Sequence, residues 1–358
     1  MPQDIALDIP FPSRISSDAP RARALNLEWL TSERLLTSQE NVDRYLSWNL
    51  SDLAGRFHPD AVGDDLVLGL QQQTFYFFVD DLFDSYLGDD PHSAYSLCHE
   101  LASLARQRST RPTFPLAEVF LDLWARSCEG MSHAWRERAA RNWEQFFLSY
   151  AAEAANRRSG AVLGLEVYMK LRRISIGAQG VLDLTERCGH FEAPAEVHES
   201  SCVREMRDLT AEIVILTNDL ASLEKDEANQ EPNNTVLLLS LERRISRDKA
   251  IECLRNMVRE RMARFAAQAR AAEQISDLLP LNRRQRRGVA RFIAANRTVM
   301  RGNYDWGRFS RRYDRSGVRN VRRSPRIEDR VSTTPYDKYT RPRGKTVSWQ
   351  PDAATSAT

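Results

Sequence analysis

The chain has 358 residues, 42% of them hydrophobic, and a formal net charge of +2. That length exceeds the usual size of one domain, but a large all-helical protein can still fold as a single unit around a substantial core. The near balance of charge excludes a strong overall attraction to nucleic acid or to anionic membranes, so we expect no nucleic-acid partner.

Residues 1 to 20 are rich in Pro, Ser and Asp and are predicted to form an extended N-terminal arm. The first residues lack the basic and apolar segments of a secretory signal. The five cysteines form no CxxC pair and no Cys/His cluster, which argues against a zinc site or a disulfide framework. These features favour a reduced, cytoplasmic protein. No apolar run is long enough to span a membrane, so we expect no stable insertion.

Residues 21 to 315 carry apolar side chains at three- and four-residue spacing, which predicts helices almost throughout. Turn-forming residues predict breaks at His58-Pro59, Gly88–Pro91, Arg111-Pro112, Ser159-Gly160, Gly189-His190, Glu231–Asn234 and Leu279-Pro280. About ten helices with short links make an all-α, single-domain antiparallel bundle. Residues 316 to 358 are basic and rich in Ser, Pro and Thr, and we predict a disordered, inert tail rather than a segment that binds lipid or RNA.

The first candidate site lies near the end of a helix predicted from Val67 to Tyr86. Asp80 and Asp84 are four residues apart, so they lie about 40° apart on one helical face. Tyr76 and Phe77 precede them on the same stripe, where aromatic rings can line an apolar pocket and stabilise cations. The alternative is an ordinary solvated helix end above core aromatics.

The second candidate site lies on a helix predicted from Val203 to about Glu227. Asn218, Ser222 and Asp226 are spaced by four and form one column on that helix. Asn and Ser are poor residues for a helix interior, so their alignment with a carboxylate calls for an explanation. Hard oxygen ligands of this kind suit Mg²⁺, which is usually shared with substrate phosphates. Two such edges across a central apolar cavity would bind a diphosphate.

The pattern resembles the class I terpene synthases of bacteria and fungi, whose two Mg²⁺ motifs are DDxx(D/E) and NDxxSxxxE. Asp80 to Asp84 match the first motif, and the second is matched at Asn218, Asp219, Ser222 and Lys225. Asp226 stands where the family usually has Glu, and it is one methylene shorter. Glu224 and Glu227 are alternatives, although both point roughly 160° to 180° away from Asn218.

Two further segments carry the resemblance, which covers about residues 20 to 315. The segment Tyr168–Gly177 is similar to the family's segment with a diphosphate-sensing arginine and a helix break, and spacing favours Arg172 over Arg173. Gly177 is expected to kink the helix. The segment Gly302–Tyr313 is similar to the family's C-terminal segment, in which Trp306 would line the pocket while Arg312 and Tyr313 bind diphosphate. Lys225 could also reach a phosphate oxygen.

The resemblance implies the class I terpenoid synthase fold and an Mg²⁺-dependent cyclase with three Mg²⁺ ions per active site. Such an enzyme ionises a linear isoprenyl diphosphate, most often farnesyl and next geranylgeranyl diphosphate, and cyclises the carbocation to a terpene hydrocarbon or alcohol. One alternative is a chain-elongating isoprenyl diphosphate synthase, which usually carries two DDxxD motifs where this chain has one. The other is a non-catalytic helical isoprenoid-binding homologue. A homodimer is left open.

Overall fold

The structure, a computed structural model, describes residues 2–83, 87, 90–109 and 111–315. Every regular element in this part of the chain is helical and none is a strand, so the all-α prediction is confirmed. No helix within these ranges is both long and apolar enough to cross a membrane. Asp84 and the predicted tail, residues 316–358, lie outside the described residues.

The described ranges contain fourteen α-helices, numbered here α1 to α14 in chain order. They span Ala19–Ser32, Gln39–Trp48, Leu50–Phe57, Gly63–Phe83, Pro91–Ala105, Pro115–Cys128, His133–Ser159, Leu165–Ser175, Ala178–Cys188, Ala195–His198, Ser201–Asn229, Thr235–Arg243, Arg247–Leu278 and Arg283–Phe309. The sequence predicts about ten helices. The structure has more partly because Asn49 and Arg244 end helices in the left-handed backbone region, at φ of 55° and 52°, without a Gly or Pro to signal the break.

The predicted breaks at Pro and Gly are correct at the ends of α3, α7, α9, α11 and α13. Helix α4, by contrast, begins at Gly63, four residues before the predicted start at Val67. Asp64 and Asp65 occupy its first turn, where carboxylates stabilise the free N–H groups and the positive end of the helix dipole. The acidic pair therefore starts the helix that carries Asp80.

Helices α4 and α11 form the centre of the bundle. Most residues of both are buried, including the polar Gln71, Gln72 and Gln73 of α4. α11 packs along α13 and α14, while α4 packs against α1 and α3. One continuous apolar cluster runs from Leu7 in the arm to Tyr313 at the C-terminal end of the described chain. The two helices that bear the candidate ligands thus lie within one core.

A break between α8 and α9 shapes the space beside α4. Gly177 adopts a φ of 74° between the two helices, so the predicted kink is confirmed. A Cβ atom at Gly177 would lie 3.2 Å from the ring of Tyr76, and one at Gly180 would lie 2.0 Å from its hydroxyl oxygen. Since a side chain at Gly180 would overlap Tyr76, the small residues let this ring pack directly against the break.

The N-terminal arm crosses the end of α14. The Gln3 side chain donates to the carbonyl oxygens of Gly307 (2.8 Å) and Ser310 (3.0 Å). The Leu7 N–H donates to the Tyr304 hydroxyl at 3.0 Å. These contacts hold the arm against the segment that leads to Arg312 and Tyr313.

Candidate active site

A cavity of about 530 Å³ lies between α4, α7, α8 and α11, with Arg312 and Tyr313 on one wall. Ten of the residues singled out by the sequence line it: Tyr76, Phe77, Asp80, Arg172, Asn218, Ser222, Lys225, Asp226, Arg312 and Tyr313. Arg173 and Trp306 lie elsewhere, and Asp84 is outside the described residues. Two widely separated sequence motifs therefore meet at one cavity.

The α4 edge of the cavity, Asp80 and Asp81, is held by a cation. Arg312 Nη2 donates to Asp80 Oδ2 at 2.9 Å and to Asp81 Oδ1 at 2.8 Å. The Tyr150 hydroxyl donates to Asp80 Oδ1 at 3.3 Å. The buried guanidinium of Arg312 also lies over the rings of Trp48 and Phe77, at 4.6 and 5.1 Å from their centroids. Charge and aromatic faces together fix this arginine at the cavity wall.

On the α11 edge, formed by Asn218, Ser222 and Asp226, the hydrogen bonds to the Asp226 carboxylate come from neutral groups. Ser222 Oγ donates to Asp226 Oδ2 at 2.7 Å, and Asn234 Nδ2 donates to the same oxygen at 2.9 Å. Burial raises the pKa of Asp226 to about 6. The Asn218 side-chain Nδ2 donates to the Tyr313 hydroxyl at 3.0 Å, so its Oδ1 faces Arg172 instead.

The two alternative carboxylates on α11 point away from the cavity. Glu224 and Glu227 form ion pairs with Arg247 at 3.9 and 3.5 Å. Neither side chain lines the cavity, whereas Asp226 does. Asp226 is thus the carboxylate in the column, although its role as a ligand stays a prediction.

Asp219, the second residue of the α11 motif, has a structural position that the sequence did not reveal. It is buried and accepts hydrogen bonds from the Tyr168 hydroxyl at 2.9 and 3.0 Å. The Thr235 N–H (2.9 Å) and hydroxyl (2.6 Å) donate to its Oδ2. Because Tyr168 lies on α8 and Thr235 begins α12, Asp219 ties three helices together and fixes the rotation of α11.

Arg172 and Arg173 lie on different faces of α8. Arg172 lines the cavity, and its Nη2 donates to Asn218 Oδ1 at 3.4 Å. Arg173 pairs with Asp208 at 3.4 Å and Glu212 at 3.6 Å. The geometry therefore favours Arg172 as the group that meets a ligand in the cavity, and it leaves Arg173 without a place there.

Aromatic rings line the cavity beneath the polar edges. Tyr76 and Phe77 are part of the wall, as the sequence predicts. Trp306 lies one layer behind, edge-on to Phe77 at 5.3 Å and to Tyr313 at 5.6 Å. Its indole N–H donates to the Trp48 carbonyl at 2.8 Å, which holds the ring away from the cavity. Trp306 thus supports two lining residues and does not itself line the cavity.

Two lining aromatics on α7, Phe146 and Tyr150, were not predicted. Phe146 meets the Tyr76 ring edge-on at 4.8 Å, and Trp143 stacks on Tyr76 at 4.6 Å. Trp143, Phe146 and Tyr150 recur at three- and four-residue spacing, which is the signal that could have found this stripe. Helix α7 therefore completes the aromatic wall that α4 begins.

The donor set fits a divalent cation that is shared with a ligand. Among the described residues, no three His, Cys, Asp or Glu side chains cluster closely enough to hold an ion by themselves. The cavity offers instead the Asp80 carboxylate on α4 and, on α11, the Asn218 amide, the Ser222 hydroxyl and the Asp226 carboxylate, while the second α11 carboxylate in the lining, Asp219, is already bonded to Tyr168 and Thr235. These hard oxygens suit Mg²⁺, which keeps open positions for water and phosphate oxygens. Lys225, Arg172 and Arg312 add positive charge around the same space.

The chain is similar to known proteins in both sequence and fold. Residues 73–264 match the family described as terpene synthase family 2, C-terminal metal binding. Pentalenene synthase from Streptomyces exfoliatus is 38% identical over 88% of this chain and 94% of its own length. (-)-Beta-caryophyllene synthase from Saccharothrix espanaensis is 39% identical over 89% and 91%. The crystal structure of germacradien-4-ol synthase from Streptomyces citricolor has a TM-score of 0.77 and 32% identity, covering 86% of this chain and 99% of that one.

Proposed function

The chain belongs to terpene synthase family 2 and is a class I terpene synthase of microbial type, and we propose that it cyclises farnesyl diphosphate with release of diphosphate. Support for this substrate comes from (-)-beta-caryophyllene synthase, whose name states that it cyclises farnesyl diphosphate. Geranylgeranyl diphosphate is the second candidate. The observation that carries the proposal is the cavity itself, in which Asp80 and the Asn218/Ser222/Asp226 column meet above an aromatic wall.

In this proposal the diphosphate binds at the polar end of the cavity. Arg172, Lys225, Arg312 and the Tyr313 hydroxyl surround that end. A guanidinium presents a planar fork that suits the two oxygens of a phosphate, and an ammonium adds a compact point charge. When bound between Asp80 and the α11 column, Mg²⁺, for which the family implies three ions, would supply charge that stabilises the departing diphosphate.

Departure of the diphosphate leaves an allylic carbocation beside the apolar wall. Tyr76, Phe77 and Phe146 present aromatic rings there, and a ring face stabilises a cation by roughly 0.5 to 2 kcal/mol. A wall of this kind also excludes water, which would otherwise quench the cation before the chain has folded and cyclised. The reaction ends when the cation loses a proton, giving a hydrocarbon, or is captured by water, giving an alcohol.

The test is Mg²⁺-dependent turnover of farnesyl diphosphate by the purified full chain. We expect release of inorganic diphosphate together with a cyclic terpene in hexane extracts, identified by gas chromatography and mass spectrometry. Chelation of divalent cations with EDTA is expected to abolish both signals. Failure to release diphosphate from any linear substrate between C10 and C25 would overturn the proposal. A longer prenyl diphosphate formed only after addition of isopentenyl diphosphate would favour chain elongation.

A further inference from the structure

A second cavity, of about 730 Å³, lies between α7, α8, α9 and α11. It shares the α8–α9 segment with the first cavity, because Arg172 lines the first and Arg173 lines the second. No step of the proposed reaction uses it. Its volume is within the range of small-molecule sites in proteins.

The lining of this second cavity is strongly basic. Two carboxylates, Glu199 and Asp208, line it beside six cationic side chains: Arg138, Arg141, Lys170, Arg173, Arg204 and Arg207. Several of the cations already have partners, since Arg138 and Arg207 both bind Asp183 and Arg173 binds Asp208. Lys170 pairs with exposed Glu166 at 2.7 Å.

Arg141 and Arg204 are the remaining two of the six cationic side chains. Both are exposed, and no ion pair joins either of them to a described residue. The cavity therefore carries positive charge that the described protein does not neutralise. Such a concave basic surface concentrates anions.

Two buried nitrogen atoms of the lining residues also lack hydrogen-bond partners among the described residues: Arg207 Nη1 and His198 Nδ1. The other nitrogens of Arg207 are well placed, with Nε donating to Gln179 Oε1 at 2.7 Å and Nη2 to Asp183 Oδ1 at 3.0 Å. His198 Nε2 lies 3.0 Å from Glu186 Oε1, so only Nδ1 is unused. A buried polar atom without a partner costs roughly 1 to 3 kcal/mol, and native proteins contain few of them.

We propose that this cavity binds a compact anion of the phosphate class, inorganic phosphate or diphosphate. Arg207 Nη1 would donate to it from the buried side, and the guanidinium groups of Arg141 and Arg204 would close over it from the exposed side. His198 Nδ1 can accept a hydrogen bond from a protonated phosphate oxygen. No Phe, Tyr or Trp side chain lines the cavity, and the ring of His198 is buried against Phe292, which disfavours a nucleotide whose base would need a stacking partner. The proposal does not depend on the cyclase activity.

Isothermal titration calorimetry of the full chain in EDTA tests the proposal, with sodium diphosphate and sodium phosphate as separate titrants. We expect binding that is weakened by about tenfold or more in Arg141→Gln/Arg204→Gln, because two charged donors are lost. The matched control is Arg270→Gln/Arg283→Gln, which removes the same charge from exposed positions outside both cavities and should bind like the unmodified chain. The ratio of the two affinities identifies which anion is preferred.

A second variant separates this cavity from the first. Arg172→Gln/Arg312→Gln removes two cations of the candidate active site and should keep the binding seen in EDTA. Loss of all binding in that variant, or equal weakening in the Arg270/Arg283 control, would overturn the proposal. In crystals soaked with tungstate, an electron-dense phosphate mimic, we expect an anomalous tungsten peak within about 4.5 Å of Arg207 Nη1, because an N···O hydrogen bond of about 2.9 Å and the W–O bond separate the two atoms. A peak confined to the first cavity would contradict it.

Discussion

Asp80 on α4 is held by a cation, whereas Asp226 on α11 is held by neutral donors. Arg312, 232 residues away along the chain, binds Asp80 and also reaches Asp81. The donors to Asp226 are Ser222 and Asn234, within eight residues of it. The Asp226 end of the α11 edge is therefore built locally, while the α4 edge depends on the C-terminal segment.

This difference has a consequence for ligand binding. At the α4 edge, a divalent cation must compete with or rearrange a guanidinium that already pairs with both carboxylates. At the α11 edge, a cation replaces the hydrogen bonds that uncharged Ser222 and Asn234 donate to Asp226 and the 3.4 Å contact between Arg172 and Asn218. We expect the α11 edge to bind a cation first and the α4 edge to bind it together with movement of Arg312.

The largest effect is expected when either edge loses a ligand. Asp80→Asn and Asn218→Ala should each lower kcat/KM for farnesyl diphosphate by about a thousandfold, or about 4 kcal/mol of transition-state stabilisation. Circular dichroism should show intact helices, because both side chains face the cavity. Asp64→Asn, an exposed change at the other end of α4, is the matched control. A smaller loss is predicted for Asp84→Asn.

Full activity in Asp80→Asn alone would break the comparison, since the α4 edge would then serve only to hold Arg312. Full activity in Asn218→Ala would likewise contradict a ligand role for Asn218 at the α11 edge.

Arg312→Gln sharpens the comparison because it should weaken turnover of the substrate and strengthen Mg²⁺ binding. It should lower kcat/KM by about a hundredfold through loss of a phosphate donor. It should also tighten Mg²⁺ binding in the absence of substrate, because Asp80 and Asp81 lose the cation that pairs with them. Calorimetric titration with MgCl₂ measures this second effect. Arg311→Gln, on an exposed neighbour, is the control, and unchanged Mg²⁺ affinity in Arg312→Gln would refute the competition.

A moderate effect is expected at Asp226. Asp226→Asn removes the charge and should reduce turnover by about thirtyfold, whereas Asp226→Glu keeps the charge and should cost about threefold. The longer side chain must displace the hydrogen bonds from Ser222 and Asn234, which is why a loss is expected even for Glu. Glu227→Gln, on the outer face, is the control. Equal activity of all three variants would show that Asp226 is not a ligand.

The parts of the site that could be predicted from sequence are those that helical periodicity encodes. Residues four apart share a helical face whatever surrounds the helix, so the Asn218/Ser222/Asp226 column is predictable from the sequence. Helix breaks at Pro and Gly are also predictable, because they follow from the backbone preferences of these residues themselves. The break at Arg244 is not, because a left-handed arginine is set by its surroundings.

The sequence also does not show how deeply an aromatic side chain lies in the core. The sequence placed Trp306 in the cavity wall, but whether an aromatic lines a cavity or supports one that does depends on tertiary contacts. Here the Trp48 carbonyl accepts a hydrogen bond from the Trp306 indole N–H and so holds this ring behind the cavity wall. Phe146 was missed because it lies on a helix that carries neither metal motif.

The adjacent arginines of α8 provide the smallest expected effect and the finest test. Successive residues of a helix lie about 100° apart, so one of the pair can face the cavity while the other faces outward. Arg172→Gln should raise KM for the diphosphate substrate and lower kcat/KM by about tenfold, because Arg172 lines the cavity beside Asn218. Arg173→Gln should stay within about twofold, since its partners are Asp208 and Glu212. Steady-state diphosphate release measures both, and the reverse ranking would mean that α8 rotates when substrate binds.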